Sequence, residues 1–300
     1  MDKPRGMTSR AAGGRVARMF GVKKFGHLGT LDPMAAGVLP IALGEATKMI
    51  PYIDGNKESA FAEASADKQE TGEKEYIFTV IWGIETDTGD IDGKVITEST
   101  FKFPDNNAVA AACKSMVGEI SQVPPAYSAV HVNGRRAYEL ARRGETVNLP
   151  KRKVTIYSLE YDADSADHVF RVCCGTGTYV RALARDIAEK CGTVATCAGI
   201  YRVRTHNFSV ENAQSLDFLE KVYHNAPAEL QDYLKPADFG LDDILVAELN
   251  DDDASLFKHG GVIVTKDDSL GLRRVKHNGK FIGIGRNDNY VLMPKRIINA

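Results

Sequence analysis

The chain has 300 residues, a formal net charge of −2, five cysteines and a hydrophobic content of 43%. This length exceeds that of one typical domain, so we expect two, one large and one small. The apolar runs are far too short to span a bilayer, the N-terminus shows no signal-peptide pattern, and the cysteines form neither a CxxC pair nor an even disulfide framework. These features argue against membrane and disulfide-scaffold proteins and predict reduced, cytoplasmic thiols.

The charges are unevenly distributed along the chain. Residues 135–153 hold seven basic and two acidic side chains, and residues 258–300 hold nine basic and three acidic ones. Between them, residues 229–253 hold nine acidic side chains and one basic one. Two basic patches separated by an acidic stretch fit a protein that grips phosphate at chosen places, although solvated helix faces explain either patch alone equally well.

Periodicity and capping signals predict the elements of the first half. A helix is predicted over 8–20, where Thr8 or Ser9 is the cap and a glycine follows the end. Residues 76–82 are rich in β-formers and predict a buried strand, and 94–97 predict a short strand after a turn. A capped helix is predicted over 105–117.

The second half continues the mixture. Residues 154–161 and 169–174 predict paired strands, and 178–190 predict an amphipathic helix. From about residue 241, short apolar runs punctuated by glycine are typical of a small β-barrel. Because strands and helices do not alternate regularly, the core is predicted to be α+β.

Residues 57–74 differ from their surroundings. They contain Ala, Glu, Lys and Gln with weak periodicity and no convincing core face. We interpret them as an exposed, mobile insertion.

The most informative segment is 26–33, which reads Gly-His-Leu-Gly-Thr-Leu-Asp-Pro. It presents one carboxylate, Asp32, on a tight loop, with His27 five residues earlier. A single carboxylate on a rigid loop suits a nucleophile better than a metal site, which needs several ligands. In isolation an Asp-Pro pair would be interpreted as a turn cap, so the interpretation depends on the other segments.

Four other segments accompany it in order. Residues 2–9 read DKPRGMTS, 74–76 read KEY, 123–129 read VPPAYSA ahead of GRRAY at 134–138, and 175–181 read GTGTYVR. Any one of these could arise by chance, but the ordered set spans nearly the whole chain. Together with 26–33 it resembles the TruB family, the synthases that make pseudouridine in the TΨC arm of tRNA.

The resemblance implies a fold. Residues 1–240 would form a pseudouridine synthase domain, in which a mixed, largely antiparallel central sheet is flanked by helices. A thumb loop would occupy about 123–153, and 241–300 would form a small PUA-like β-barrel that binds RNA.

The resemblance also implies a site. Asp32 matches the family's nucleophile, and Arg181 would ionise and aim it through its planar fork. Tyr76 would stack on the flipped uracil, Ile200 would contact it, and His27 would fill the gap that the base leaves.

Structural alternatives stand beside these roles. Tyr76 could be a core tyrosine, His27 a loop histidine bonded to backbone, and Arg181 a surface arginine. A larger set of basic residues is assigned to RNA contact: Lys3, Lys48, Arg135, Arg136, Arg142, Arg143, Lys151, Arg152, Arg202 and Arg204.

The expected partner is the T-arm stem-loop of tRNA, and the expected product is pseudouridine at position 55. No P-loop, GxGxxG or His/Cys cluster is present, so we expect no metal ion and no organic cofactor. No protein partner is expected to be required, and a monomer is predicted.

Two departures from the family pattern are visible. The sequence shows no apolar strand before the DKP motif at 2–4, where the family usually has one. Tyr201 also stands where relatives commonly have a basic residue. The second departure puts a phosphate contact in doubt, not the chemistry.

Three other functions compete with this one. A non-catalytic tRNA-binding or tRNA-folding protein of the same fold would keep the basic patches but lose Asp32. A guide-dependent synthase would lack a thumb of this length. An unrelated hydrolase with an aspartate nucleophile would have no affinity for RNA.

Overall fold

The computed structural model describes residues 1–54, 73–100, 103–132 and 134–298. The strands in the N-terminal part are β1 (Asp2–Lys3), β2 (Phe25–His27), β3 (Ala35–Val38), β4 (Ile41–Leu43), β5 (Lys74–Trp82), β6 (Ile84–Thr86), β7 (Val95–Glu98), β8 (Gly118–Gln122), β9 (His131–Val132), β10 (Arg135–Arg136), β11 (Arg152–Asp162), β12 (Val169–Cys174), β13 (Ala195–Thr205) and β14 (Phe208–Ser209). The remaining strands are β15 (Val246–Leu249), β16 (Ile263–Val264), β17 (Gly271–His277), β18 (Lys280–Asp288) and β19 (Val291–Ile297).

Seven α-helices and three 3₁₀ turns lie between the strands of the described residues. The helices are α1 (Ser9–Met19), α2 (Ile50–Ile53), α3 (Asn106–Ser115), α4 (Ala137–Arg142), α5 (Val180–Lys190), α6 (Leu216–Asn225) and α7 (Asp251–Lys258). The 3₁₀ turns are Gly44–Met49, Val210–Asn212 and Pro227–Tyr233. No helix in these ranges is long and apolar enough to cross a membrane.

The central sheet has eight strands in the order β1-β3-β13-β5-β12-β11-β8, with β14 paired to β13. All of its pairings are antiparallel except β3 with β13. Alternate residues of β5 are buried, and Phe78 stacks on Phe170 of β12 with ring centroids 5.0 Å apart. This arrangement confirms the predicted α+β architecture with a mixed, largely antiparallel sheet.

Local signals placed the main helices correctly. The Thr8 hydroxyl accepts a hydrogen bond from the Ala11 N–H at 3.1 Å and caps α1, and Asp105 caps α3. The amphipathic helix α5 begins two residues later than predicted and buries its apolar stripe, including Leu183 and Ile187, against the sheet.

The C-terminal part is a five-stranded sheet in the order β15-β17-β18-β19-β16, packed with α7 around a core that includes Phe257 and Leu292. It is joined to the N-terminal part by a second apolar cluster of Met49, Leu241, Ile284 and Ile298. Lys48, predicted as an RNA contact, takes part in this junction, because its ammonium donates to the Ile297 carbonyl at 3.0 Å.

The predicted insertion over 57–74 falls mostly outside the described residues. Of that segment only 73 and 74 are described, and both precede or begin β5. The prediction of mobility therefore stays a prediction.

Candidate active site

Asp32 lies on the loop between β2 and β3, and this loop is held by the first sequence motif. The Ser9 hydroxyl at the start of α1 donates to the Leu31 carbonyl at 2.9 Å and accepts from the Leu31 N–H at 2.8 Å. Gly29 has a φ of +64°, a conformation that favours glycine. The residue before Asp32 is thus fixed on both of its backbone polar groups.

The structure brings Asp32 and Arg181 together. The Arg181 Nε lies 2.9 Å from the Asp32 Oδ2. The Arg181 side chain is only 4% exposed, whereas that of Asp32 is 38% exposed. The arginine is therefore an interior group and the carboxylate remains open to a substrate.

Three other acceptors hold the same guanidinium. Arg181 donates to the Thr88 carbonyl at 2.6 Å and to the Tyr127 carbonyl at 2.8 Å, and its Nη1 lies 3.4 Å from the Asp90 Oδ2. These acceptors come from two segments distant in sequence from Asp32. A guanidinium with fixed acceptors on several sides cannot rotate freely, so its Nε points at Asp32 in one fixed direction.

Sequence analysis missed Asp90. It lies in the acidic, glycine-rich turn between β6 and β7, which was interpreted only as turn chemistry. The Thr88 hydroxyl donates to its Oδ1 at 2.7 Å, and the residue is 6% exposed. A buried carboxylate needs a cation, but the residue pattern alone does not say which one.

Burial raises the pKa of Asp32, the charge of Arg181 opposes this shift, and the nearby charge of Asp90 adds to it. The carboxylate is therefore partly desolvated, and its charge is paired with that of Arg181. A partly desolvated carboxylate aimed by a cation is suited to nucleophilic attack.

Tyr76 and Ile200 lie on the same face of neighbouring strands. Tyr76 pairs with Arg202 and Phe78 pairs with Ile200 across β5 and β13. Tyr76 is 8% and Ile200 7% exposed, so both belong to the core as well as to the floor of the site. Burial raises the pKa of Tyr76, so its hydroxyl keeps its proton at neutral pH.

His27 is half-buried at the end of β2, and its Nε2 lies 3.2 Å from the Thr30 hydroxyl. Its partner is therefore a side chain of the loop between β2 and β3 that carries Asp32. Burial and the charges of Arg202 and Arg10 lower the pKa of His27, which makes the ring neutral at pH 7.

All six thumb residues assigned to RNA contact are exposed. They are Arg135, Arg136, Arg142, Arg143, Lys151 and Arg152. Arg142 also lies over the Tyr138 ring, 5.6 Å from its centroid. Arg204 is 34% exposed and lies 3.3 Å from Glu73 and 3.5 Å from Glu75.

Two assigned RNA contacts are wrong. Lys3 and Arg202 are both 0% exposed, so neither side chain can reach a phosphate. The Lys3 ammonium donates to the carbonyls of Pro4 at 2.8 Å and Met7 at 2.7 Å. Arg202 likewise bonds to backbone carbonyls in the interior.

Three cations of the C-terminal basic patch lie beside acidic side chains in the structure. Lys276 and Arg274 lie 2.9 and 3.7 Å from Asp238, which belongs to the acidic stretch. Arg273 pairs with Asp267 at 2.7 Å. The segment is net basic in the sequence, but the fold places several of its cations beside carboxylates.

No group of three or more His, Cys, Asp or Glu side chains in the described part of the chain is placed to hold a metal ion. The expectation that no metal or organic cofactor takes part stays a prediction.

Solved structures share this fold. An H/ACA RNP bound to a substrate RNA containing 2′-deoxyuridine matches with a TM-score of 0.69 and 19% identity, covering 100% of this chain and 84% of that one. The archaeal box H/ACA sRNP Nop10-Cbf5 complex matches with a TM-score of 0.67 and 20% identity, over 99% and 84% of the two chains. At this identity the likeness establishes the pseudouridine synthase fold.

Sequence relatives narrow the class further. The model of the TruB family pseudouridylate synthase N-terminal domain matches residues 17–69 and 64–180, and that of the pseudouridine synthase II TruB C-terminal domain matches 246–298. The tRNA pseudouridine synthase B of Caulobacter vibrioides is 42% identical over 88% of this chain and 80% of its own length. That of Bradyrhizobium diazoefficiens is 38% identical over 100% and 84%. The chain belongs to the TruB family of pseudouridylate synthases.

Proposed function

We propose that this chain converts uridine 55 in the TΨC arm of tRNA to pseudouridine, with Asp32 as the nucleophile. The relatives' names support tRNA as the substrate. The observation that carries the assignment of Asp32 is its 2.9 Å contact with a buried arginine whose two other nitrogens also donate to protein acceptors.

The reaction requires the target uridine to leave its stack, at a cost of a few kcal/mol. Tyr76 and Ile200 would then form the apolar walls against the everted base, and neutral His27 would occupy the space that it vacates. Attack by Asp32 on the ribose C1′ or the pyrimidine C6, or its assistance of a proton transfer that yields a glycal, would each use the same ionised carboxylate. The freed uracil rotates and rejoins the ribose through C5.

Recognition of the RNA is assigned to the exposed cations. The thumb set (Arg135, Arg136, Arg142, Arg143, Lys151 and Arg152) would contact phosphates of the stem-loop. Arg204 and Lys48 would join them only by leaving their partners, which are Glu73 and Glu75 for Arg204 and the Ile297 carbonyl for Lys48. Residues 1–240 would be the catalytic domain and residues 241–300 an RNA-binding domain. Folded RNA loops are read mainly by shape, which suits a set of backbone contacts.

The enzyme is proposed to act as a monomer, without a protein partner, in the cytoplasm where tRNA is found. The thumb supports this independence, because its exposed cations supply phosphate contacts within the same chain.

The decisive experiment incubates the protein with an unmodified tRNA transcript and maps pseudouridine to single nucleotides. We expect modification at position 55 and none in a transcript carrying cytidine there. Binding of the T-arm stem-loop at two salt concentrations is measured in parallel. Salt-dependent binding without conversion would support the non-catalytic function instead, and absence of binding would support the hydrolase.

A further inference from the structure

Arg202 is a buried arginine directly beneath the catalytic loop. Its Nε donates to the Val38 carbonyl at 2.8 Å, and its Nη2 donates to the Gly29 carbonyl at 2.9 Å and the Leu28 carbonyl at 3.4 Å. Leu28 and Gly29 precede Asp32, whereas Val38 follows it. One side chain therefore binds the catalytic loop on both sides of the nucleophile.

The same side chain reaches the aromatic wall of the site. Arg202 and Tyr76 are register partners on β13 and β5, and the charge of Arg202 opposes the rise that burial causes in the pKa of Tyr76. Arg202 is thus the direct link between the element that carries Asp32 and the element that carries Tyr76.

Two glycines make room for this link. A Cβ at Gly29 would lie 2.9 Å from the Arg202 Nη1, and a Cβ at Gly37 would collide with the Arg202 backbone. Both glycines have positive φ, +64° and +106°. Gly29 therefore leaves room for the Arg202 side chain, and Gly37 leaves room for the backbone of the strand that carries it.

The charge of Arg202 is balanced by dipoles. Among the described residues, no carboxylate oxygen lies within 4.0 Å of it. Burial lowers the pKa of the surrounding basic groups, and the charge of Arg202 lowers it further: these are the N-terminal amine, Lys3, His27, Lys74 and His206. Because burial of an unpaired cation is costly, the three loop carbonyls must be held towards it, and the loop conformation and the arginine stabilise each other.

We propose that Arg202 is a positioning residue for the reaction: its side chain holds the carbonyls of the loop that carries Asp32, and its place opposite Tyr76 in the β13–β5 pairing sets that loop relative to the tyrosine. This role rests on the proposed function of the site. It replaces the phosphate contact that the sequence pattern suggested for this arginine.

The test compares Arg202→Lys with Arg171→Lys. Lysine keeps the charge but has no planar fork, so it cannot serve carbonyls on both sides of Asp32 together. We expect the single-turnover rate of Arg202→Lys to fall by about tenfold to about 100-fold while its affinity for tRNA stays at the wild-type value, since misplacement of reacting groups by about 1 Å costs a factor of this order. Arg171, which is 51% exposed on β12 and pairs with Glu75, is the matched control and should keep the wild-type rate.

A second readout separates positioning from general loss of structure. His27 faces Arg202 and Arg10, so the pKa of its imidazole, measured by NMR titration, reports the charge of Arg202. The pKa should rise in Arg202→Met and stay near the wild-type value in Arg202→Lys. If both variants fail to fold, the rate of Arg202→Gln is measured in their place and should fall in the same way.

Three results would overturn the proposal: a folded Arg202→Lys with the wild-type rate, equal losses of rate and tRNA affinity, or a His27 pKa that is indifferent to Arg202→Met. Failure of the proposed function looks different, because then the wild-type protein itself would form no pseudouridine. In that case the His27 titration still decides whether Arg202 acts on the loop.

Discussion

The catalytic centre and the thumb both depend on arginine, but they keep it in opposite surroundings. Arg181 is 4% exposed, and its donors are directed at Asp32, Asp90 and two carbonyls. Arg135 and Arg143 of the thumb are exposed to solvent. An interior cation acts on one neighbour with fixed geometry, whereas an exposed cation acts on a polyanion through screened charge.

This difference separates two measurable quantities. Changes at the centre should alter the rate at saturating RNA, because they alter the aim or ionisation of Asp32. Changes in the thumb should alter affinity and its salt dependence, because phosphate contacts release counterions.

The largest effect is expected from Asp32→Asn. An amide cannot act as the nucleophile, so pseudouridine formation should fall below detection while tRNA affinity stays near that of the wild type. Asp167→Asn, at an exposed loop position, is the control and should be fully active. Retained conversion by Asp32→Asn would remove this residue from its proposed role.

The next largest effect is expected from Arg181→Lys. The ammonium keeps the charge but cannot serve Asp32, Asp90 and two carbonyls at once, so the rate should fall by about 100-fold. Filter binding should show little change in tRNA affinity. Equal losses of rate and affinity would show that Arg181 serves tRNA binding and not the orientation of Asp32.

Asp90→Asn should have a smaller effect on rate and a distinct effect on pH dependence. The charge of Asp90 contributes to the raised pKa of Asp32, so its removal should lower that pKa. Activity requires ionised Asp32 and is lost as pH falls through its pKa, so the acid limb of the rate profile should move to lower pH. A limb that stays in place or moves upward would show that Asp90 does not act on Asp32 electrostatically.

Thumb variants should change binding only. Arg142→Gln and Arg143→Gln should each weaken tRNA binding and reduce the slope of log affinity against log salt by about 1, if each contacts one phosphate. The rate at saturating tRNA should not change. An unchanged salt slope would place that arginine away from the RNA.

The smallest effect on RNA is expected from Lys276→Gln. Its ammonium lies 2.9 Å from Asp238, a residue 5% exposed, so the charge is already neutralised within the protein. We expect unchanged tRNA affinity and a lower melting temperature, measured by calorimetry. A clear loss of affinity would mean that Lys276 leaves Asp238 for the RNA.

Local signals predicted many elements correctly, because a helix cap or a β-rich run acts over a few residues. The capping by Thr8 and the strand containing Tyr76 are examples. The order of the central sheet was not predictable in this way, since it depends on pairings such as β3 with β13, whose partners are Ala35 and Ile200.

The candidate site likewise contains one residue that was predicted correctly and one whose place depends on strand pairing. The resemblance assigned Arg181 to Asp32, and the two lie in contact. Arg202 and Arg204 were both assigned to RNA contact because both are basic, and nothing in the sequence pattern told them apart. A register shift between them breaks the alternation of side chains along β13, so Arg202 points inward while Arg204 reaches Glu73 and Glu75.

The apolar junction between the two parts has a practical consequence for anyone who wishes to study them separately. Truncation before β15 would remove Ile284 and Ile298 from their contacts with Met49 and Leu241. The exposed apolar surface would lie just after the paired strands β2 and β4, which flank the loop that carries Asp32. Such a fragment would tend to self-associate. The C-terminal sheet therefore cannot be deleted without disturbing the rest of the protein. Because of this, a loss of activity on its deletion would say little about RNA recognition.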